Sequence, residues 1–175
     1  MVLAVLAVGT TAGCGSDGEA AEEPPAEVST TRRSDNEAAC DQLRLVAEID
    51  AETARLSGGV ARQVIGGAQG AAVLAAADEL SAHLSTNAPV VAAAYTEAAA
   101  DAPDAVAAAI AELAAASAAT MPELAELLGS ATSAEEIAAL YETLGAAGVA
   151  DDVDPGAVAE VERYRSVICN MPSPG

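Results

Sequence analysis

The chain has 175 residues, of which 47 are Ala, and it contains no Phe, Trp or Lys. Its 27 Asp and Glu residues stand against seven Arg, which gives a formal net charge of −20 at pH 7. This charge excludes nucleic acid as a partner, because the phosphate backbone would be repelled. Ala is the strongest helix former and strand-type alternation is absent, so the composition predicts an all-α fold.

The chain begins with an apolar run, residues 2–8, followed by the motif Thr11-Ala12-Gly13-Cys14. Small residues before a cysteine, behind a short hydrophobic segment, resemble the lipobox of bacterial lipoprotein precursors. The resemblance implies that residues 1–13 are a signal peptide, cleaved after Gly13, and that the thiol of Cys14 receives a diacylglyceryl group. It places the mature protein on the extracytoplasmic face of the cell membrane, with the membrane as its first partner.

Two features of the N-terminus depart from the usual lipoprotein pattern. Thr11 stands where Leu is common, and no Lys or Arg precedes Arg32. Because a signal peptide normally has a basic n-region, we expect the true start to lie before Met1. The alternative is an ordinary apolar N-terminus with a chance cysteine. The abundance of Ala and the use of Arg without Lys are typical of a high-GC genome, such as that of an actinobacterium.

The lipidated cysteine and the residues behind it, 14–33, are predicted to form a disordered acidic tether. Gly, Ser, Pro and acidic side chains dominate it, and such a segment buries too little apolar surface to offset the entropy of ordering. A diacylglyceryl group carries two acyl chains, which are enough to hold a protein stably at a membrane. A folded domain is predicted over 34–171, followed by a short tail, 172–175.

The remaining cysteines, Cys40 and Cys169, lie near the two ends of the predicted domain. Disulfides persist in exported proteins, and with Cys14 lipidated only one intrachain pairing is possible. We therefore predict a Cys40–Cys169 disulfide that joins the terminal helices. The alternatives are two buried thiols, or a metal pair, which lacks a nearby His or a third Cys for tetrahedral ligation.

The first helix is predicted to begin at Ser34-Asp35-Asn36-Glu37, which matches the capping box. Gly58-Gly59 is predicted to interrupt or end it. A second helix is expected over about residues 69–85. Asn87 is then predicted to cap a third helix, with Pro89 in its first turn, where the missing N–H costs little.

A fourth helix is predicted to follow Pro103, and Pro122 is expected to kink or restart it. A membrane span over residues 90–119 is rejected, because Pro103 breaks this stretch and central acidic residues are costly in lipid. Ser133-Ala134-Glu135-Glu136 is a second capping box, which opens a short helix. Asp154-Pro155 opens the last helix, whose buried stripe is predicted to be Val158, Val161, Tyr164 and Ile168. Together these elements predict an antiparallel bundle of about four to six helices.

Charge is distributed unevenly along the chain. Between Arg62 and Arg163 there is no Lys or Arg, whereas sixteen Asp and Glu occur. The plainer interpretation is a solvated acidic surface that keeps the domain soluble. The alternative is recognition of a cationic partner by the central helices.

The sequence offers few candidates for chemistry, and we expect no catalytic residue, no metal site and no cofactor. Glu79 and His83 lie one helical turn apart and could form a base or a weak metal site, although a lone structural His is the commoner case. The acidic loop of Asp151, Asp152 and Asp154 does not match a calcium loop, because Val153 and Pro155 occupy ligand positions.

Three functions remain open. The first is an interaction or structural module of a lipoprotein, which binds another envelope protein. The second is a carrier of a lipid or another hydrophobic ligand in the bundle interior, with Tyr95 and Tyr141 as polar anchors. The third is an enzyme, which is the least favoured because the only plausible base outside the carboxylates is His83.

Overall fold

The structure, a computed structural model, describes residues 27–67, 70–147 and 153–172. Every regular element in these ranges is an α-helix, so the predicted all-α fold is confirmed. The five helices are α1 Glu27–Ile65, α2 Gly70–Asp101, α3 Asp104–Ser130, α4 Ala134–Ala147 and α5 Pro155–Val167.

Helix α1 is longer than predicted at both ends. It begins at Glu27, ahead of the expected cap at Ser34 and within the predicted tether. It also continues through Gly58-Gly59, so the predicted interruption is wrong. Leu56 and Val60, on either side of the glycine pair, are buried, and this burial outweighs the helix penalty of about 1 kcal/mol for each Gly.

Helix α2 contains both the second and the third predicted helices. Asn87 does not cap a helix; its side-chain Nδ2 donates to the backbone oxygen of His83, at 2.9 Å, inside α2. Pro89 therefore lies in a helix interior rather than in a first turn. Leu84 and Val91 are buried on either side of it, and they hold the helix together across the proline.

Helix α3 likewise passes through Pro122 without restarting, and ends at Ser130. By length and composition it is the one helix in the described ranges that could cross a membrane, with a mean hydropathy of 1.4 over 18 residues, of which 17% are buried. That is a weak indication, since α3 also carries four carboxylates, Asp104, Glu112, Glu123 and Glu126. The stretch 90–119 is divided between α2 and α3.

The predicted starts of the two short helices agree with the structure. The backbone N–H of Glu136 donates to the hydroxyl of Ser133 at 3.2 Å. The carboxylate of Glu136 reaches one residue further back than the capping box requires, and accepts from the N–H of Thr132 at 2.6 Å. Asp154 caps α5 by accepting from the N–H of Gly156 at 2.9 Å, with Pro155 in the first turn.

The end of α5 differs from the predicted stripe. Val161 and Tyr164 are buried as expected, but Ile168 is 52% exposed. It follows the last helical residue, Val167, and the chain there turns so that Cys169 is buried instead. The backbone N–H of Cys169 donates to the oxygen of Tyr164 at 3.2 Å, which holds this turn.

The core consists of two apolar clusters, one near each end of the long helices. The N-terminal half of α1, the C-terminal half of α2, the N-terminal half of α3, and α5 form the first. The opposite halves of the three long helices, together with α4, form the second. Successive long helices therefore run antiparallel, and the short helices α5 and α4 cover opposite ends of the bundle.

Candidate functional site

The first candidate feature is the predicted disulfide, which the structure contains. Cys40 of α1 and Cys169 after α5 are bonded, with their Cα atoms 5.3 Å apart. Two further contacts tie the same elements together. Tyr164 donates its hydroxyl to the Oδ1 of Asn36 at 2.9 Å, and Arg44 donates to the backbone oxygen of Cys169 at 3.3 Å.

The proposed lipidation site cannot be placed against this domain. Cys14, the predicted signal peptide 1–13 and tether residues 14–26 lie outside the described residues. The remaining tether residues, 27–33, belong to α1.

The two tyrosines expected as anchors of a ligand cavity are not brought together. Tyr95 lies in the first apolar cluster and Tyr141 borders the second. Burial, and secondarily the charge of Asp50, raises the pKa of Tyr95 to about 12. The hydroxyl of Tyr141 donates to the backbone oxygen of Ser57 at 3.2 Å. Both positions suit core tyrosines better than a shared ligand site.

His83 does not pair with Glu79. Its Nε2 lies 3.1 Å from the hydroxyl of Thr53, and its Nδ1 lies 3.2 Å from the side-chain nitrogen of Asn87. Because the hydroxyl of Thr53 itself donates to the backbone oxygen of Ile49, it can accept from His83. With the amide nitrogen of Asn87 beside Nδ1, Nε2 is the ring nitrogen placed to donate to Thr53. Nε2 thus joins α2 to α1 through Thr53, whereas Nδ1 is used within α2 by Asn87.

Of the acidic loop, Asp154 is described, and its side chain caps α5. Glu79 lies 3.9 Å from Arg55, and Glu112 accepts from the backbone N–H of Asp154 at 2.8 Å. Asp151 and Asp152 lie outside the described residues. Within the described ranges, no group of three or more His, Cys, Asp or Glu side chains is placed to hold a metal.

A groove between α2 and α3, which we call the α2–α3 groove, was not predicted from the sequence. It is open to solvent, and has a volume of about 660 Å³. Pro89 of α2 and Pro122 of α3 both line it, as does the carboxylate-bearing residue Glu126. Its other lining residues are small: Ser81, Ser85, Ala88, Ala92, Ala118, Ala125, Gly129 and Ser130.

The two helices approach closely at one end of this groove. The hydroxyl of Ser81 donates to the backbone oxygen of Ala125 at 2.6 Å. A Cβ atom added at Gly129 would lie 2.8 Å from the same hydroxyl. Small residues at these positions allow the approach. Both prolines are visible in the sequence, but the predictions of a first turn at Pro89 and of a kink or restart at Pro122 do not point to a shared groove.

A second open groove, of about 360 Å³, lies beside Tyr164 and is lined by residues in and next to α3 and α5 and by Asn36 of α1. Val167 and Ile168, both exposed, border it. Glu160 and Arg163 add one charge of each sign. This groove therefore has no net charge preference from its lining side chains.

No protein-family model, curated protein or solved structure matches this chain.

Proposed function

We propose that this protein is a lipid-anchored lipoprotein of the bacterial cell envelope, and that its helical domain is an interaction module for another envelope protein. The Cys40–Cys169 disulfide is the observation that carries the proposal. Disulfides of this structural kind persist in exported proteins and are rare in the reducing cytosol. The lipobox-like motif that ends at Cys14 supplies the anchor.

The geometry favours an interaction module over a carrier of a hydrophobic ligand. Apolar side chains from all five helices fill or border the two core clusters, and the two grooves described above are open rather than enclosed. A carrier needs a pocket that buries most of its ligand. An open groove on a helical surface suits a segment of a partner protein better.

Metabolic labelling with a palmitate analogue tests the anchor. Expressed in an actinobacterial host, the chain should be labelled, and Cys14→Ser should abolish the label because the only thiol that the motif offers is removed. The double variant Cys40→Ser, Cys169→Ser is the matched control, since it removes the two other cysteines and leaves the motif intact. Label that persists in Cys14→Ser would contradict the anchor.

The interaction module is tested separately by crosslinking the anchored protein in envelope membranes. We expect a crosslinked species of higher mass that contains one specific exported protein. A domain that is labelled at Cys14 but crosslinks to no protein would contradict the module and leave the anchor intact.

A further inference from the structure

The α2–α3 groove contains two backbone carbonyl groups without their usual helix partners. Proline has no backbone N–H, so the carbonyl of the residue four positions earlier loses its hydrogen bond. For Pro89 that residue is Ser85, and for Pro122 it is Ala118. Ser85 and Ala118 both line the groove together with the prolines themselves. Two hydrogen-bond acceptors, one from each helix, therefore border the same groove.

Three serine hydroxyls line the groove: those of Ser81 and Ser130 donate elsewhere, and that of Ser85 makes no hydrogen bond within the described residues. The hydroxyl of Ser81 donates to the oxygen of Ala125, and that of Ser130 donates to the oxygen of Leu127 at 3.2 Å. Helix N–H groups are satisfied along the backbone, whereas a carbonyl that has lost its donor needs one from a ligand or from water. The groove thus presents mainly acceptors.

The charge of the groove favours a cationic ligand. Glu126 lines it, and within the described residues its carboxylate is in no ion pair. Helices α2, α3 and α4 carry no Lys or Arg at all, so no side chain of these helices can neutralise Glu126. A ligand that complements this groove would carry a positive charge and would also donate hydrogen bonds.

The apolar walls of the groove indicate that the ligand also has an apolar part. Ala88, Ala92, Pro89 and Pro122 offer apolar surface beside the acceptors. Lys and Arg side chains combine an apolar stem with a charged head that only donates. A stem along the Ala and Pro surface would bring such a head to Glu126 or to the carbonyls of Ser85 and Ala118, which all border the groove.

We propose that the α2–α3 groove binds a Lys or Arg side chain carried by a segment of a partner protein. The proposal rests on the interaction function proposed above, and it names the chemistry of the partner and the place where it binds. Two prolines that weaken their own helices are then part of the binding site, because each exposes an acceptor there.

Nuclear magnetic resonance of the full chain with Cys14→Ser, labelled with nitrogen-15, tests this. The probe is the peptide acetyl-Ala-Ala-Lys-Ala-Ala-amide, compared with the same peptide carrying norleucine, which keeps the stem without the charge. We expect saturable shifts confined to amides around the groove, such as those of Ala92 and Gly129, and binding at least threefold weaker for the norleucine peptide.

Matched variants then test how much the charge of Glu126 and the two carbonyls contribute to binding. Glu126→Gln should weaken binding of the lysine peptide by up to about fivefold, the upper end of the range for an exposed ion pair. Glu123→Gln removes another exposed carboxylate of α3, outside the groove, and should leave binding unchanged. Pro89→Ala and Pro122→Ala return an N–H to the two carbonyls and should each weaken binding about twofold or more.

Because Ala is a far better helix former than Pro, neither proline variant should lose its fold. Shifts spread over all acidic regions, equal effects of Glu123→Gln and Glu126→Gln, or unchanged binding in both proline variants would each overturn the proposal. So would groove shifts that appear on concentrating the protein without peptide, which would indicate a second copy as the occupant. If this test fails while the palmitate analogue still labels Cys14 in the parent chain, the groove site alone is overturned.

Discussion

Glu136 shows how much one exposed side chain can contribute to the start of a helix. The carboxylate of Glu136 accepts hydrogen bonds from the backbone N–H and the hydroxyl of Thr132. The backbone N–H of Glu136 donates in turn to the hydroxyl of Ser133. The bonds from Thr132 are the main cause that lowers the pKa of the Glu136 carboxyl below its ordinary value. The charged form is therefore favoured by folding.

We predict a pH-dependent loss of stability from this carboxylate. A lowered pKa in the folded state stabilises the protein above about pH 4.3, the ordinary Glu value, and that contribution is lost as the pH falls through the folded value. Glu136→Gln should therefore unfold at a lower temperature than the parent at pH 7, and the difference should shrink by pH 3.

Thermal unfolding followed by circular dichroism at the two pH values measures this. Glu135→Gln is the matched control, because Glu135 precedes Glu136 on α4 and accepts no hydrogen bond among the described contacts. A difference between Glu136→Gln and the parent that stays constant with pH would contradict the role of the charge.

At the scale of helices, local sequence signals identified real helix ends but also marked ends that do not exist. Asp154-Pro155 and Ser133 start helices as predicted, because capping depends on residues a few positions apart. Gly58-Gly59 and Pro89 do not end helices, because burial of Leu56, Val60 and Val91 against other helices decides the outcome. That burial depends on which helices pack together, which the sequence alone does not specify.

The α2–α3 groove was missed for the same reason. Pro89 and Pro122 are 33 residues apart in the sequence, and their common groove exists only because α2 folds back on α3. The disulfide, by contrast, needed no knowledge of packing, since a single pairing remained once Cys14 was set aside.

Replacing one glycine inside α1 and one after it should change the free energy of unfolding in opposite directions. Gly59 lies in the helix, and a Cβ atom there would have its nearest neighbour, the Nη2 of Arg62, at 4.0 Å. Gly59→Ala should stabilise the protein by about 0.5–1 kcal/mol. Gly67 has a φ of 66°, in the left-handed region, so Gly67→Ala should destabilise it by about 1 kcal/mol.

The free energy of unfolding, from urea denaturation monitored by circular dichroism, distinguishes the two variants. The same chemical change is made in both, so a common effect of added helix propensity cannot explain opposite signs. Destabilisation by Gly59→Ala would show that the helix is strained at its glycine pair.

At the scale of the whole molecule, the disulfide reinforces only one of the two core clusters. Cys40 and Cys169 belong to the cluster that includes α5, whereas the cluster that includes α4 has no covalent link of its own in the described residues. The bonded cysteines are 129 residues apart in the sequence. A loop of that length gives up to about 5 kcal/mol in the chain-entropy model, with smaller values common in practice.

We therefore predict that the double variant Cys40→Ser, Cys169→Ser loses several kcal/mol of stability, and that a reducing agent has a comparable effect on the parent. Thermal unfolding with and without the reductant measures this, and the reductant should have no effect on the double variant. Cys14→Ser should behave as the parent. Equal stability of the parent in both conditions would contradict a structural role for the bond.

The same bond also determines how the molecule would carry mechanical load. A pull applied between the two ends of the chain passes from Cys40 directly to Cys169, so the helices in between, α2, α3 and α4, bear none of it. Only the segments outside the covalent ring can lengthen. A partner that pulls from within the ring, at the α2–α3 groove for example, would load α1 and the noncovalent core instead. The helices within the ring are therefore shielded from force along the termini and loaded by force on the side of the molecule.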